Sequence, residues 1–572
     1  MSLIKDAEVY LNNILEELGY EYDCKLVSSS VPSLGQFQLN IAMPLAKKYH
    51  ENPRDIASKI VDRLDDRFSN VNIAGPGFIN LSFSDDIIIK YMNEVIDNFN
   101  VLVDKSESKT IIVDYGGANA AKSLHVGHMR SANIGEAIKR IAKLYGNKVI
   151  GDVHLGDLGR QSGMLISELM LEKPDLVFFD PNYKGEYPKI DLTTDDLGRM
   201  YPKASIAAKE DQARMEQVRQ ITREVEEGRR GYLELWHQMV EISSEDIKKV
   251  YDRLNCSFEL WDGELDALNY IPDVLKIMKP YLYESDGAMV MDVKIDDDKK
   301  EIPPLMVLKS DGSSKYETRD LATIYKRMKK YNPDCIWYVV DDRQALNFVQ
   351  VFRGSYKSGL VKKETELCHF GFGTINGADG KPFKTRDGGV MKLSDLLDMV
   401  KDEIRKKVRD NIDGEEKEDV IEKLTIATVK YADLLPYRQT DYIFDPVKFS
   451  SFEGKTGPYI MYTLVRCKSI LRNNDMIDYK ISIVSDDVRD MYVKVINLSN
   501  ELYRAYVNAS PNVLCEYLFE LCNLYNKFYN DINISNEKDI NLKNNYLSLT
   551  KLVSYVISNL LEVLAIEEVE RM

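Results

Sequence analysis

The stretch DYGGANAAKSLHVGHMRSANIGE, residues 114–136, places two histidines around a glycine where a strand turns into a helix. Upstream, the apolar and β-branched residues of TIIVDY (110–115) are typical of a buried parallel strand. Downstream, apolar residues recur at helical spacing until Gly146, and KVIGDVHLG (148–156) predicts a second strand. This order indicates a βαβ unit, a fold that binds nucleotides where strands end and helices begin.

Composition limits the class of protein. With 572 residues, 44% of them apolar and 29% charged, the chain is expected to form several soluble domains. No apolar run approaches the ~20 residues of a membrane span, and the N-terminus resembles an amphipathic helix rather than a secretion signal. The seven scattered cysteines predict reduced thiols in a cytoplasmic protein, and the net charge of −16 argues against nonspecific coating of nucleic acid.

Three regions follow one another along the chain. Residues 1–105 mix helical and short strand patterns and close with two strands around a Gly-Pro-Gly turn, which predicts an α+β domain. Residues 106–390 carry the βα pattern of a Rossmann-type domain, interrupted at about 165–300 by a charged helical insertion. Residues 391–572 are predicted to be an α-helical bundle.

The two histidines of the turn, His125 and His128, allow more than one interpretation. Such histidines are most often hydrogen-bonded structural residues, and a zinc site would need further ligands that no nearby Cys or HExxH pattern supplies. The position favours phosphate binding instead, because Gly127 permits close approach, the helix N-terminus attracts negative charge and imidazoles donate hydrogen bonds.

A second basic segment supports the phosphate interpretation. GADGKPFKTRDGGVMKLSDLL (377–397) places Lys381, Lys384 and Arg386 among glycines, as in loops that close over a leaving pyrophosphate. On its own the segment could be an ordinary exposed basic loop. Together with the histidine turn it favours nucleotidyl transfer.

These motifs carry a family resemblance. The turn LHVGH, followed some 250 residues later by a lysine-containing loop, resembles the class I aminoacyl-tRNA synthetases. YETRDLAT, DDRQALNFVQVF, YADLLPYRQTDYIFD, SFEGKTGPYIMY and the N-terminal GQFQLNIAMPLAKK resemble arginyl-tRNA synthetases in particular, in the same order and over essentially the whole chain. The resemblance implies a Rossmann-type catalytic domain with an N-terminal α+β domain that contacts the tRNA elbow and a C-terminal helical bundle that binds the anticodon.

The resemblance also implies a reaction and its cofactors. ATP, with Mg²⁺, would activate L-arginine to arginyl-adenylate, and tRNA(Arg) would then accept the arginyl group; activation itself is expected to depend on tRNA. We expect a monomer and no dedicated metal site. The predicted catalytic residues are His125, His128, Lys122 and Lys384, and the predicted ATP-binding residues are His125, Gly127, His128, Lys381, Lys384 and Arg386.

Arginine selection calls for a carboxylate, because a guanidinium is permanently charged and forms planar paired hydrogen bonds. We assign this role to Asp320, which lies four residues after Tyr316 and so on the same helix face. The alternative is that Asp320 forms a surface ion pair with Arg319 or Lys326. The full set that the family pattern places at arginine is Asp114, Asn119, His154, Tyr316, Asp320 and Gln344.

Contacts to tRNA are predicted in the bundle from aromatic residues that could stack on unpaired bases, namely Tyr459 and Tyr462. The resemblance adds Tyr529 and Met572 by their match to the C-terminal pattern, and implies that Phe37 and Gln38 in the N-terminal domain contact the tRNA elbow. Tyrosines on amphipathic helices are more often core residues.

The sequence departs from the family pattern at several positions. Ser123 replaces a common proline, Leu158 and Ser162 replace aromatic residues, and Asn347 stands where histidine is frequent. These departures leave room for a divergent paralogue. Two alternatives are weighed against the arginine-specific enzyme: a class I synthetase of another specificity, which Tyr316, Asp320 and Gln344 argue against, and a catalytically altered paralogue that only binds tRNA, which the intact histidine turn and Lys384 argue against.

Overall fold

The computed structural model describes residues 1–29, 31, 33–377, 379–381, 383, 391–408, 414–474 and 481–572. All seven cysteines lie in these ranges as free thiols, and six of them are buried. Within the same ranges, no helix combines the length and the apolar character needed to cross a bilayer.

The N-terminal region is an antiparallel sheet covered by helices, with strand order β1-β2-β4-β3. The two strands predicted around the Gly-Pro-Gly turn are β3 and β4. The elements are α1 (Leu3–Glu17), β1 (Leu26–Ser28), β2 (Phe37–Leu39), α2 (Ala42–Tyr49), α3 (Pro53–Val61), β3 (Phe68–Ala74), β4 (Phe78–Phe83), α4 (Asp85–Asp97) and a 3₁₀ turn (Phe99–Leu102).

The predicted βαβ unit comes next and its helix is almost wholly buried, which explains the apolar and small residues around it. Strands β5 and β6 pair in parallel, as a right-handed βαβ crossover requires. The unit consists of β5 (Thr110–Asp114), α5 (Val126–Leu144) and β6 (Lys148–Asp152).

The insertion is helical as predicted, but it also leads into an antiparallel sheet of order β7-β8-β9 that the sequence analysis did not foresee. Short strands with few alternating residues give little periodic signal. The elements are α6 (Arg160–Glu172), α7 (Thr194–Glu210), α8 (Gln212–Glu226), α9 (Arg230–Arg253), α10 (Glu264–Leu268), α11 (Ile271–Met278), 3₁₀ turns (Val177–Phe179, Lys279–Tyr281), β7 (Tyr283–Ser285), β8 (Ala288–Met291) and β9 (Leu305–Leu308).

The second half of the Rossmann-type domain completes a parallel sheet of order β11-β10-β5-β6. Strand β10 pairs with β5 in register, so the carboxyl ends of β5, β6 and β10 meet at one edge of the sheet. The elements are α12 (Tyr316–Tyr331), β10 (Cys335–Tyr338), a 3₁₀ turn (Asp342–Gln344), α13 (Ala345–Ser358), β11 (Glu366–His369) and β12 (Ile375–Asn376).

The C-terminal region is a helical bundle that packs on α5. One prediction is corrected here, because Tyr442–Ile443 forms a short strand, β13, parallel to β12. The elements are α14 (Leu393–Arg405), α15 (Gly414–Leu434), β13 (Tyr442–Ile443), α16 (Pro446–Phe449), α17 (Gly457–Arg472), α18 (Asp486–Val507), α19 (Asn512–Asp531), a 3₁₀ turn (Ile534–Asn536) and α20 (Ile540–Val563).

Polar groups join this bundle to the helix that begins with the histidines. Asp433 of α15 is fully buried, lies 3.4 Å from Arg130 Nε and accepts a hydrogen bond of 2.9 Å from Asn133 Nδ2. Lys430, one turn earlier, is also buried and donates to the carbonyl of Leu254 at the C-terminal end of α9 in the insertion. Helix α5, the end of α9 in the insertion and the C-terminal bundle are thus joined by buried polar contacts.

Candidate active site

The histidine turn is fixed by hydrogen bonds between its own rings and backbone. His125 is the N-cap of α5, and its Nδ1 accepts from the backbone N–H of Gly127 at 3.1 Å. His128 Nδ1 accepts from the backbone N–H of His125 at 3.0 Å, and the two rings stack at 3.7 Å. An acceptor nitrogen carries no proton, so each neutral ring holds its proton on Nε2. Both histidines therefore present Nε2–H donors.

Both rings are neutral at pH 7. Burial, followed by the charges of His125 and Lys122, lowers the pKa of His128 to about 3, and burial also lowers the pKa of His125. A neutral donor can stabilise an oxygen that gains negative charge without first exchanging a proton with solvent. The turn is suited to donate hydrogen bonds to phosphoryl oxygens.

Gly127 is needed for this geometry as well as for ligand approach. A Cβ at this position would lie 3.0 Å from His125 Cε1 and 3.1 Å from its Nδ1. Any other residue would therefore push the His125 ring away from the backbone N–H that orients it.

The basic segment meets the histidine turn through its downstream end. Lys392 and His125 form an antiparallel β-bridge between their backbones. On either side of it, Leu393 N donates to the carbonyl of Leu124 at 2.9 Å and Val126 N donates to the carbonyl of Met391 at 3.3 Å. Lys384 and Arg386 lie outside the described residues. Lys381 is exposed in a turn closed by Gly377. The sequence analysis missed Lys392, whose only signal was its place in the basic segment.

Lys122 lies just before the turn and near both imidazoles, whose pKa values its charge lowers. Its ammonium is 4.8 Å from the centre of the Tyr201 ring on α7 of the insertion. It also lines a cavity of about 280 Å³ between the turn, the insertion and Lys392. Lys122 thus connects the insertion to the phosphate side of the site.

Asp320 and Tyr316 lie one helical turn apart in the first turns of α12, as predicted. The carboxylate Oδ2 of Asp320 accepts from Asn347 Nδ2 at 3.0 Å. Arg319 pairs instead with Glu264 at 2.9 Å, and Lys326 pairs with Asp262 at 2.7 Å. The surface ion pair considered as the alternative for Asp320 is therefore wrong.

Asp320 lacks a cationic side chain as an ion-pair partner among the described residues. Burial raises its pKa to about 6; the hydrogen bond from Asn347 and the charge of His154 oppose the shift, and Glu264 and Asp114 add to it. A partly buried carboxylate with a raised pKa gains from an incoming cation, which favours its ionised form. The position is suited to a guanidinium or an ammonium group.

His154, whose charge acts on Asp320, has a polar atom without a partner among the described residues. It follows β6 with a left-handed φ of 39°, and its buried Nδ1 has no hydrogen-bond partner in the described part of the chain. Left-handed backbone at a residue other than glycine is costly and is typical of functional sites. Asn119 lies opposite Gly156 in the adjoining loop, and Gln344 is exposed just before α13.

Asp114 lies deeper than its predicted place at the ammonium end of arginine. It is 6% exposed, and its Oδ2 accepts from Arg327 Nη2 at 2.6 Å; the same nitrogen donates to Asp152 Oδ2 at 2.6 Å. Ligand atoms of Asp114, Asp152 and His154 lie within 4.8 Å of one another, a spacing that could hold a metal ion. Because Arg327 already donates to both carboxylates from the space between them, these residues do not fit a dedicated Mg²⁺ site.

The predicted anticodon residues come together in the bundle. Tyr459, Tyr462 and Met572 line a cavity of about 580 Å³. Arg466, which was not predicted as a tRNA contact, lines the same cavity. Its guanidinium lies 4.7 Å from the ring centre of Tyr462 and 4.5 Å from that of Tyr529. Spacing could have suggested it, since Arg466 follows Tyr462 by one helical turn.

The N-terminal prediction is wrong for Phe37. Its ring is 1% exposed and packs edge-on against Phe83, because alternate residues of β2 face the domain core. Gln38 is partly exposed on the opposite face and remains available for a tRNA contact.

Known families and structures match this arrangement along the whole chain. The family described as tRNA synthetases class I (R), catalytic domain, matches residues 92–446. The Arginyl tRNA synthetase N terminal domain matches residues 5–83, and the DALR anticodon binding domain matches residues 460–572. An arginine–tRNA ligase from Alkaliphilus oremlandii is 45% identical over 584 residues, covering 100% of both chains.

The chain belongs to the arginyl-tRNA synthetase family. An arginine–tRNA ligase from Agathobacter rectalis is 44% identical over 571 residues, covering 96% of each chain. Arginyl-tRNA synthetase structures share the fold, from Plasmodium falciparum (TM-score 0.83, 23% identity, covering 100% of this chain and 99% of that one) and from Thermus thermophilus (TM-score 0.81, 20% identity, 100% of both). The predicted fold class is confirmed.

Proposed function

We propose that this chain uses ATP to activate L-arginine and then transfers the arginyl group to tRNA(Arg), releasing AMP and pyrophosphate. The observation that carries the proposal is Asp320, a partly buried carboxylate without a cationic partner among the described residues, one helical turn from Tyr316. It lies in a fold whose histidine turn presents two neutral Nε2–H donors. The relatives named above are arginine–tRNA ligases, and they give no support to the alternative of a paralogue that only binds tRNA.

The side chains divide the work between the two substrates. Asp320 would neutralise the guanidinium, with Tyr316 and Gln344 beside it, while Asn119 and His154 face the other end of arginine. His125 and His128 would donate to the α-phosphate as negative charge builds on its oxygens, and Lys122, Lys381, Lys384 and Arg386 would hold the leaving pyrophosphate. Such catalysis works by positioning and charge stabilisation and needs no covalent enzyme intermediate.

Mg²⁺ would arrive with ATP and neutralise phosphate charge, since Asp114 and Asp152 are already paired with Arg327. We further propose a cytoplasmic monomer, with domains at residues 1–105, 106–390 and 391–572.

Aminoacylation with purified tRNA and each of the standard amino acids tests the function. The expected result is arginine-specific charging that falls on the order of 10²–10³-fold in His128→Ala, with an unchanged melting temperature, because a donor to a developing oxyanion is lost. His237→Ala is the matched control, since His237 is exposed on α9. A destabilised His128→Ala protein with normal turnover per folded molecule would favour a structural role instead.

We also propose that arginine activation depends on bound tRNA. The tyrosines and Arg466 of the bundle would hold unpaired anticodon bases, and the buried contacts of Asp433 and Lys430 connect that bundle to α5 and the insertion. Binding at one end could then shift the population of the competent active site.

Arginine-dependent exchange of pyrophosphate into ATP tests this dependence. Exchange is expected to be negligible with enzyme alone and to appear with tRNA, and Tyr462→Ala should weaken the stimulation relative to Tyr503→Ala, an exposed tyrosine on α18. Truncation before Lys430 is unsuitable, because it would uncover α5. Full exchange without tRNA would refute the dependence and leave the synthetase function intact.

A further inference from the structure

Asn347 stands closest to the carboxylate proposed to bind arginine. It lies in the first turn of α13, is 9% exposed and donates from Nδ2 to Asp320 Oδ2 at 3.0 Å. Its other polar atom, Oδ1, is buried and has no hydrogen-bond partner among the described residues. An unpaired buried acceptor costs on the order of 1–3 kcal/mol, so such an atom calls for an explanation.

We propose that Asn347 is a specificity-determining residue for the amino acid substrate: it orients Asp320 through Nδ2 and accepts an N–H of the bound guanidinium through Oδ1. The inference rests on the proposed function, which it deepens. Asn347 is not among the residues that we assigned to arginine from the sequence.

The chemistry of a guanidinium explains why an amide is suited to this position. The substrate offers five N–H donors in one plane, and a carboxylate can accept two of them side by side. A neutral acceptor next to the carboxylate can accept a further N–H without adding negative charge. An ammonium group has no planar fork and cannot reach both acceptors in the same way, so the pair favours arginine over lysine.

The neighbourhood of Asp320 makes this orientation important. Burial, with Glu264 and Asp114, disfavours its ionisation, while the hydrogen bond from Asn347 and the charge of His154 favour it. Glu264 is itself paired with Arg319, and Asp114 with Arg327. Removing the Asn347 donor therefore leaves Asp320 less ionised and free to rotate.

The test compares Asn347→Leu, which keeps the volume but neither polar atom, with Asn347→His, which keeps a donor. For Asn347→Leu we expect the arginine KM to rise about 10- to 100-fold, the range for losing a hydrogen bond to a charged group, with little change in the ATP KM. Its pH profile for arginine use should move to higher pH, because the ionised form of Asp320 loses a donor. Asn347→His should recover most of the affinity and return the profile towards the wild type.

The matched control is Gln350→Ala on the same helix, whose amide Nε2 donates to the carbonyl of Pro303 at 2.7 Å. Both readouts are independent of the folded fraction, so a destabilised variant remains informative. An Asn347→Leu variant with an unchanged arginine KM and pH profile would overturn the inference while arginylation by the wild type still supports the proposed function. A wild type that charges no arginine would instead overturn the proposed function.

Discussion

Two carboxylate sites lie on the same Rossmann-type domain, one formed by Asp114 and Asp152 and the other by Asp320, and they differ in how their charge is balanced. Asp114 and Asp152, at the ends of β5 and β6, share one nitrogen of Arg327 at 2.6 Å each. Asp320, on α12, accepts a hydrogen bond from the neutral amide of Asn347 and has no cationic partner in the described part of the chain, and burial raises its pKa to about 6. The protein supplies the guanidinium in the first case, and the substrate is proposed to supply it in the second.

The difference separates stability from recognition. A buried ion pair of the protein must be complete in the folded state, and removing one partner leaves an unpaired charge. A carboxylate that waits for a ligand weakens the free protein, and it recovers that loss when the ligand binds. The same chemical pair therefore lies within the fold at one site and, under the proposed function, selects the substrate at the other.

The largest expected effect is on Asp114 and Asp152, the two carboxylates that Arg327 already holds. Arg327→Met leaves Asp114 and Asp152 buried without a cation, and should lower the free energy of unfolding by about 3–5 kcal/mol. Denaturant unfolding at pH 7 measures it. Arg219→Met is the control, because the Arg219–Glu216 pair is exposed and should contribute under about 1 kcal/mol. Similar losses in the two variants would show that the buried group is not special.

Asp320→Asn should change recognition and leave the fold intact. A neutral amide cannot compensate a desolvated guanidinium, so kcat/KM for arginine should fall by the equivalent of about 3–5 kcal/mol, with ATP binding retained. Because the folded-state pKa of Asp320 is raised, its charge lowers stability at pH 7, and the variant should be as stable as the wild type or more so. An unaltered kcat/KM would show that arginine is held elsewhere.

Asp320 should also give arginine binding a pH dependence. Free Asp320 has a pKa of about 6, and a bound guanidinium favours the ionised form, so binding releases a proton below that pH. The arginine Kd should be constant above about pH 7 and rise about tenfold per pH unit below pH 6. Calorimetry in buffers of different ionisation enthalpy would detect the proton. Binding that is flat between pH 5 and 7 would contradict the raised pKa.

The smallest effect should come from Arg327→Lys. A single nitrogen of Arg327 contacts both carboxylates, and its Nε and Nη1 are buried without partners in the described chain. A lysine ammonium could replace that nitrogen, so the loss should be about 1 kcal/mol, well below that of Arg327→Met. A loss as large as that of Arg327→Met would mean that the planar guanidinium itself is required.

The sequence was most informative where periodicity and turn residues agree. Residues 110–115 form β5 almost to the residue, α5 ends before Gly146, and β6 begins at Lys148 as the apolar pattern predicted. The strands around the Gly-Pro-Gly turn pair as expected. Local signals suffice there, because both strand pairs are joined by short or regular connections.

The sequence was least informative about contacts between distant segments. Arg327 looks like one more cation in YKRMKK, and only the fold brings it to the ends of two strands more than 170 residues away. Asn347 was noticed only as a departure from the family pattern, and nothing local shows that its amide reaches Asp320. Phe37 shows the converse, because a resemblance assigned a contact that alternation along β2 places in the core.

The buried cluster of Arg130, Asn133 and Asp433 has a mechanical consequence. The helix that begins with His125 and His128 also packs against the C-terminal bundle, so the two are joined by a buried contact and not only by the chain between them. A displacement of the bundle on tRNA binding would therefore reach the histidine turn through a densely packed interior, which transmits strain because it deforms little.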